Sequence, residues 1–290
     1  MKVGKKSEES SFKSYIGIAA MNIVAINPTI EELGKVLERE IQKVPQYLGK
    51  DENDTPQVSL SFWTRTDKTS EVNNGIDLVT PFMITLSDKE RVSKPGRKQV
   101  IDKYGRSAWA TPEEIAAGSI PQYSNGPANI SEGYHTAMPG EETLLSFLKA
   151  WLNIPDIRVY NSNTKKWEDN SRVSPEDCEM SLDYQKLFKG DFSELKVLVE
   201  EAKEYAVKVA VGVRTDDKGY KRENIYTGMF LKNSARKYDN LMQEIIDSQA
   251  AGSYSTTEFE GTPLKEYNPE PTNFTSSSET SDSDKVDPWK

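Results

Sequence analysis

Apolar side chains recur along this chain in two different periods, and the switches between them divide it into elements. Residues 13–27 (KSYIGIAAMNIVAIN) are apolar almost throughout and predict a long strand that ends at Pro28. Thr29 and Glu32 then have the spacing of a capping box, in which hydroxyl and carboxylate satisfy each other's exposed amides. The helix that follows carries Leu33, Val36, Leu37 and Ile41 on one stripe and is expected to stop near Pro45. From 57 to 66 the period falls to two. Val58, Leu60 and Phe62 alternate with Ser59, Ser61 and Trp63, which predicts a half-buried strand. Asn73, Asn74 and Gly75 supply turn residues that tolerate positive φ, and 76–87 returns as the partner strand.

Residues 88–98 read as a basic loop and 99–110 as a further strand pair. Thr111, Pro112 and Glu114 start a short helix with a second capping box and proline at its first position. Residues 119–140 lack either period. Leu144, Leu145, Phe147, Leu148, Trp151 and Leu152 then predict an amphipathic helix closed by Pro155, and another begins near Asp191 with Phe192, Leu195, Leu198 and Val199 inward. Val207, Val209, Val211 and Val213 alternate strictly, 216–219 turn the chain, and 221–232 return with Ile225, Thr227, Met229 and Leu231 opposite Tyr226 and Phe230. A last helix is expected over 235–250, with Gly252 as its stop.

Short strands and hairpins with helices between them lack the regular alternation of a parallel α/β sheet. The pattern predicts an α+β fold, mainly antiparallel: an elaborated OB-like barrel with helical insertions. Three regions follow: a flexible arm over 1–12, a single domain over 13–266, and an acidic tail over 267–290. The tail is rich in Pro, Ser, Thr and acids and has too little apolar surface to offset the entropy of ordering, so it is expected to be disordered.

Composition adds a modest core under a large polar surface, since 36% of residues are apolar and 29% charged. The net charge of −9 excludes a uniformly basic surface. Its distribution is uneven. Glu266, Glu270, Glu279, Asp282, Asp284 and Asp287 outnumber Lys285 and Lys290, whereas Arg91, Lys94, Arg97, Lys98, Lys103 and Arg106 face only Asp102 in their own stretch. The single cysteine, Cys178, forbids an internal disulfide; with no apolar leader and no membrane-length run, a cytoplasmic protein is expected.

Catalytic chemistry finds little to use. The one histidine, His135, has no nucleophile elbow to serve, and neither a phosphate-binding glycine loop nor a zinc-ligand spacing occurs. The acidic runs 51–54 and 216–217 fall where turns are expected. No enzyme activity, cofactor or metal is expected. What stands out is the interleaving of the six cations with Tyr104 and Trp109, because cations hold phosphates while flat aromatic faces stack on unpaired bases. Trp63 and Arg65 repeat that pairing on one strand, and Arg214, Lys221, Arg222 and Tyr226 on the late hairpin. In the tail, Asp282, Asp284, Asp287 and Trp289 read as a short docking peptide.

Residues 100–111 (VIDKYGRSAWAT), 120–129 (IPQYSNGPAN), 190–195 (GDFSEL), 211–215 (VGVRT) and 226–233 (YTGMFLKN) carry a resemblance. Over roughly 13–275 the chain resembles the single-stranded DNA-binding proteins of crAss-like and related tailed phages. That resemblance implies an OB-type barrel, and an acidic tail that recruits replication proteins (polymerase, helicase or primase) and competes with DNA for the groove. The chain departs from the pattern in placing Lys290 after Trp289, and from some relatives in having no Cys/His zinc module. A protein that coats single strands during replication or recombination is the expectation, with no membrane partner; oligomeric state is left open. Its rivals are a virion or scaffold-type interaction protein without DNA affinity, and a metal-dependent nuclease.

Overall fold

The computed structural model describes residues 12–15, 17–67, 69, 77–93, 95–118, 133–215, 221–232, 257–258 and 264–267. The expected arm (but for Phe12), the 73–75 and 216–219 turns, the 235–250 helix and the tail beyond Tyr267 lie outside them. So do Lys94 and the side chains of Arg214 and Lys221.

In chain order the elements begin with strands β1 (Phe12–Tyr15) and β2 (Gly17–Ile26), helix α1 (Ile30–Leu37), and strands β3 (Leu48–Lys50), β4 (Pro56–Thr66) and β5 (Val79–Ser87). β6 (Lys98–Ile101), β7 (Ser107–Ala110), α2 (Pro112–Ala116), β8 (His135–Thr136) and α3 (Glu141–Trp151) follow. Then come β9 (Arg158–Asn161), β10 (Lys166–Asp169), α4 (Tyr184–Phe188), α5 (Ser193–Glu201), β11 (Ala206–Thr215), β12 (Lys221–Ile225), β13 (Leu231–Lys232), β14 (Thr257–Glu258) and β15 (Leu264–Tyr267).

The fold is α+β and mostly antiparallel, built on a curled half-barrel sheet. Five strands define it, in the order β12-β11-β2-β4-β5. A β-bulge between Ile23 and Ala25, opposite Thr64 and Trp63, bends β2 and sharpens its twist. The curl brings the two ends of the path together, so that Thr80 Oγ1 on β5 donates to the Glu223 carbonyl on β12 at 3.3 Å. The first three strands form a meander with α1 between the first two, α2 to α5 are inserted between the third and fourth, and the fifth returns beside the third. This is the strand order of the OB barrel.

The capping boxes form at both expected places, with Thr29 and Glu32 on α1 and Thr111 and Glu114 on α2. α1 is shorter than its apolar stripe predicts. Glu38 takes a left-handed conformation (φ 53°), and the amides of Glu38 and Arg39 turn back onto the Gly34 carbonyl, leaving Ile41 outside the helix. β4 is also not the half-buried strand its alternation predicts. Val58, Leu60 and Phe62 face the core, but Ser61, Trp63 and Thr64 are buried as well. Asn27 explains part of this: its amide donates to the Ser61 carbonyl at 3.0 Å and its Oδ1 accepts from the Ser61 amide at 2.6 Å.

The barrel interior holds Met21, Ile23, Leu60, Phe62, Phe82, Ile84, Val207, Val209, Val211 and Ile225, and α3 plugs it. The Phe147 ring lies 4.5 Å from Phe62, 5.1 Å from Phe82, 5.1 Å from Phe230 and 5.7 Å from Trp151. Phe230 therefore does not share a strand face with Tyr226, as 221–232 read continuously would place it. The chain leaves β12 at Ile225 and rejoins the sheet only at β13, so Phe230 turns into the core while Tyr226 packs with Ile18, Ala210 and Val213. No helix among the described residues is long and apolar enough to cross a membrane.

Candidate nucleic-acid interface

The basic stretch leaves the end of β5 and folds into a second, three-stranded sheet in the order β7-β6-β8. Part of the segment expected to be irregular belongs to it, since β8 pairs Thr136 with Val100 and His135 with Ile101. Ile101, Ala137 and Leu145 pack this sheet against the first turns of α3, with Met180 and Leu182 beside them.

Each described cation of the stretch meets a carboxylate. Arg91 pairs with Glu142 at 3.0 Å, Arg97 with Glu114 at 3.4 Å, Lys98 with Glu90 at 2.6 Å, Lys103 with Glu179, and Arg106 with Asp102 at 2.6 Å. The excess of positive charge along the sequence is thus largely neutralised in space. Arg65 behaves alike: its guanidinium makes two 2.9 Å bonds to Asp77, with Glu38 at 3.7 Å.

These pairs are of two physical kinds. Asp102 is buried and Arg106 half-buried beside it, and Asp102 also accepts the amides of Tyr104 and Arg106 at 3.0 Å, so it ties the β6–β7 turn. The pairs of Arg97, Lys98 and Lys103 are partly solvent-exposed on both sides. Exposed pairs contribute only about 0–1 kcal/mol, which lets a phosphate displace the carboxylate. Arg91 lies between the kinds. Its partner Glu142 accepts from Arg91 at 3.0 Å, Gln99 at 2.9 Å and Ser107 at 2.6 Å. Burial opposes the charge on Glu142, yet the bonds from Ser107, Gln99 and Arg91 outweigh it and hold the carboxyl below its ordinary range.

The aromatics separate in the same way. Trp63 is 5% exposed and Tyr104 7%, so neither presents a face on which a base could stack. Tyr104 is held in place by the cations of Lys103 and Arg106, each 5.2 Å from its ring centre. Trp109, opposite Gln99 on β7, is half-buried with the Arg91 guanidinium 5.6 Å from its ring centre. On the late hairpin Arg222 is exposed and Tyr226 half-buried. Trp109 and Arg91 are therefore the accessible pair of the anticipated set that meet, while Arg97 pairs with Glu114 beside them and Lys98, opposite Ala110, pairs with Glu90 on the other face of β6.

The sequence did not reveal Glu142 as the centre of that surface. It lies 35 to 51 residues from the groups it binds, and nothing in a run of helix-forming residues marks one carboxylate among several. His135 is likewise more than a loop residue: its Nε2 lies 2.6 Å from Oε1 of the fully buried Glu141, whose other oxygen accepts the Met138 amide at 3.0 Å. The bond to Glu141 raises the His135 pKa above its ordinary value. Cys178 is buried, which pushes its thiol pKa up and leaves it a packing residue.

Asp51 caps its own turn through the amides of Asn53 and Thr55 and pairs with Lys89 at 2.6 Å. Among the described residues no three His, Cys, Asp or Glu side chains come together as a metal-binding group. No protein-family model, no curated protein and no solved structure matches the chain.

Proposed function

We propose that the protein binds single-stranded DNA and serves DNA replication or recombination, as the resemblance to the phage proteins implies. The observation that carries this reading is the strand order β12-β11-β2-β4-β5 with helices α2 to α5 inserted after β5. OB barrels bind single strands across the face of their second and third strands, with the loops that join strands one to two and four to five. Here the third strand, β5, feeds directly into the segment that carries Arg91, Arg97, Lys98 and Trp109. On this reading Trp109 stacks on a base, and phosphates displace Glu114 and Glu90 from Arg97 and Lys98. Lys103 and Arg65 join by the same exchange, while Arg106 and Tyr104 hold the turn that shapes the surface. The acidic tail, through Asp282, Asp284, Asp287 and Trp289, docks replication proteins.

The test is fluorescence anisotropy with labelled oligo(dT) and with a matched duplex, across salt concentrations. Single strands should bind more tightly than duplex. Four exchanged contacts would give a slope of log K against log salt of about −3, at ~0.7 per contact. Because displaced carboxylates recapture counterions, a shallower negative slope is expected. A flat response, or equal affinity for duplex, refutes the reading. The neutralised charge of the small sheet favours a second reading, a protein-interaction module without DNA affinity. That reading requires no shift in anisotropy at any salt concentration, together with a stable large assembly in sedimentation.

A further inference from the structure

β9 and β10 form a two-stranded sheet that pairs with no other strand among the described residues. A lone hairpin is marginal in water, and this one is held by its own polar groups. The Arg158 guanidinium donates to the Trp167 carbonyl at 2.7 Å, and Asn161 and Thr164 donate to Glu168 at 2.8 and 2.6 Å. The turn is closed by Asn161 Oδ1, which accepts the Asn163 amide at 2.9 Å.

With its polar groups turned inward on itself, the hairpin shows aromatic surface to solvent. Tyr160 stands directly opposite Trp167 in the register, and the rings meet edge to face at 5.7 Å. Tyr160 is nevertheless 54% exposed and its neighbour Val159 42%. Around this pair the charge is positive. Residues 158–172 contain Arg158, Lys165, Lys166 and Arg172 against Glu168 and Asp169, a surplus of two cations in a chain whose net charge is −9. Lys165, Lys166 and Arg172 are exposed, and none of them forms an ion pair with another described residue. In this they differ from Arg91, Arg97, Lys98, Lys103 and Arg106.

We propose that this hairpin is a second contact for single-stranded nucleic acid. An unpaired base stacks on Tyr160, with Trp167 fixing the ring from behind, and Lys165, Lys166 and Arg172 hold the flanking phosphates. An exposed π face beside cations that form no close ion pair with a described residue complements a flexible polyanion with flat bases, and every base offers such a face. This inference rests on the single-strand-binding reading and adds a site to it.

The experiment measures oligo(dT) affinity of the full chain by anisotropy. It compares wild type with Tyr160→Ala, Tyr160→Phe, and Lys165→Glu combined with Lys166→Glu. A Lys189→Glu, Lys203→Glu pair makes the same charge change on another exposed surface. Tyr160→Ala should weaken binding about ten-fold, within the range for losing a stacked base, and Tyr160→Phe should restore it. The lysine reversal should weaken binding and flatten the salt slope by roughly 1.4, at ~0.7 per lost contact. Since the hairpin joins no other sheet, melting temperatures should stay close to wild type.

If wild type binds and Arg97 or Lys98 variants weaken it while the hairpin variants do not, the hairpin assignment falls alone. An equal loss in the Lys189, Lys203 pair also overturns it, because the effect is then one of net charge. If wild type binds no single strand, this inference and the functional reading fall together.

Discussion

At the scale of residues, what decides a side chain's role is whether its partner is buried. Buried Asp102 is linked at 2.6 Å to the half-buried Arg106, and it holds two backbone amides besides. Asp102→Ala leaves a guanidinium and two amides without their acceptor and should cost about 3–5 kcal/mol of stability. Arg97→Ala, which breaks an exposed pair, should cost less than about 1 kcal/mol. Urea denaturation of both variants checks the contrast, and comparable losses would show that the two pairs are not of different kinds. His135 gives a dependence on pH. Its bond to buried Glu141 raises its folded pKa above the unfolded value of 6.5, so the stabilisation is complete below about pH 6.5 and is lost as pH rises through the folded pKa. Melting temperature should therefore fall as pH rises above about 6.5, and His135→Gln should flatten that decline.

At the scale of elements, α3 is the piece that joins the two sheets. Its N-cap, Gly140, has φ 87°, and a Cβ added there would lie 2.1 Å from the Thr85 carbonyl oxygen on β5. Gly140→Ala combines a left-handed backbone with a collision against fixed main chain. It should destabilise by well over about 1 kcal/mol, visible as a clear drop in melting temperature. The small sheet has its own test. Glu90 and Glu114 occupy the cations that a phosphate would use, so Glu90→Gln with Glu114→Gln should tighten oligo(dT) binding several-fold. The variant keeps the fold, because a glutamine at 114 can still complete the capping box. Unchanged or weaker binding in the anisotropy assay would mean that Lys98 and Arg97 do not meet phosphates.

At the scale of the whole molecule, the ends of the described domain come together. β1 pairs with β15, matching Phe12 to Tyr267 and Tyr15 to Leu264. The ordered pairing thus reaches one residue into each of the two flanks expected from composition. Residues 268–290 carry five acids against two lysines and are tethered at the end of β15. A tethered competitor acts at an effective concentration of about millimolar. Truncation after Tyr267 leaves the β1–β15 pairing intact, so melting temperature should hold. Oligo(dT) affinity should rise at low salt and the gain should shrink as salt screens both interactions. If truncation weakens binding at every salt concentration, the tail contributes to the DNA site instead of competing for it.

Signals that live within a few residues were legible in the sequence. Both capping boxes, the β4–β5 and β6–β7 pairs, α3, α5 and the valine alternation of β11 follow from local periodicity and hydrogen-bond chemistry, and they sufficed for the α+β, antiparallel barrel class. The candidate site was legible only as a list of cations and aromatics. Which of them reach solvent depends on contacts far apart in the chain: Glu142 reaches Arg91 across 51 residues, and the covered outer face of β4 encloses Trp63. The β9–β10 hairpin escaped notice because two apolar residues before a polar turn and one after it give too short a period to read. Periodicity along a chain fixes which way a side chain points within its own element, but burial and ion pairing are set by what packs against that element, and only the tertiary fold decides that.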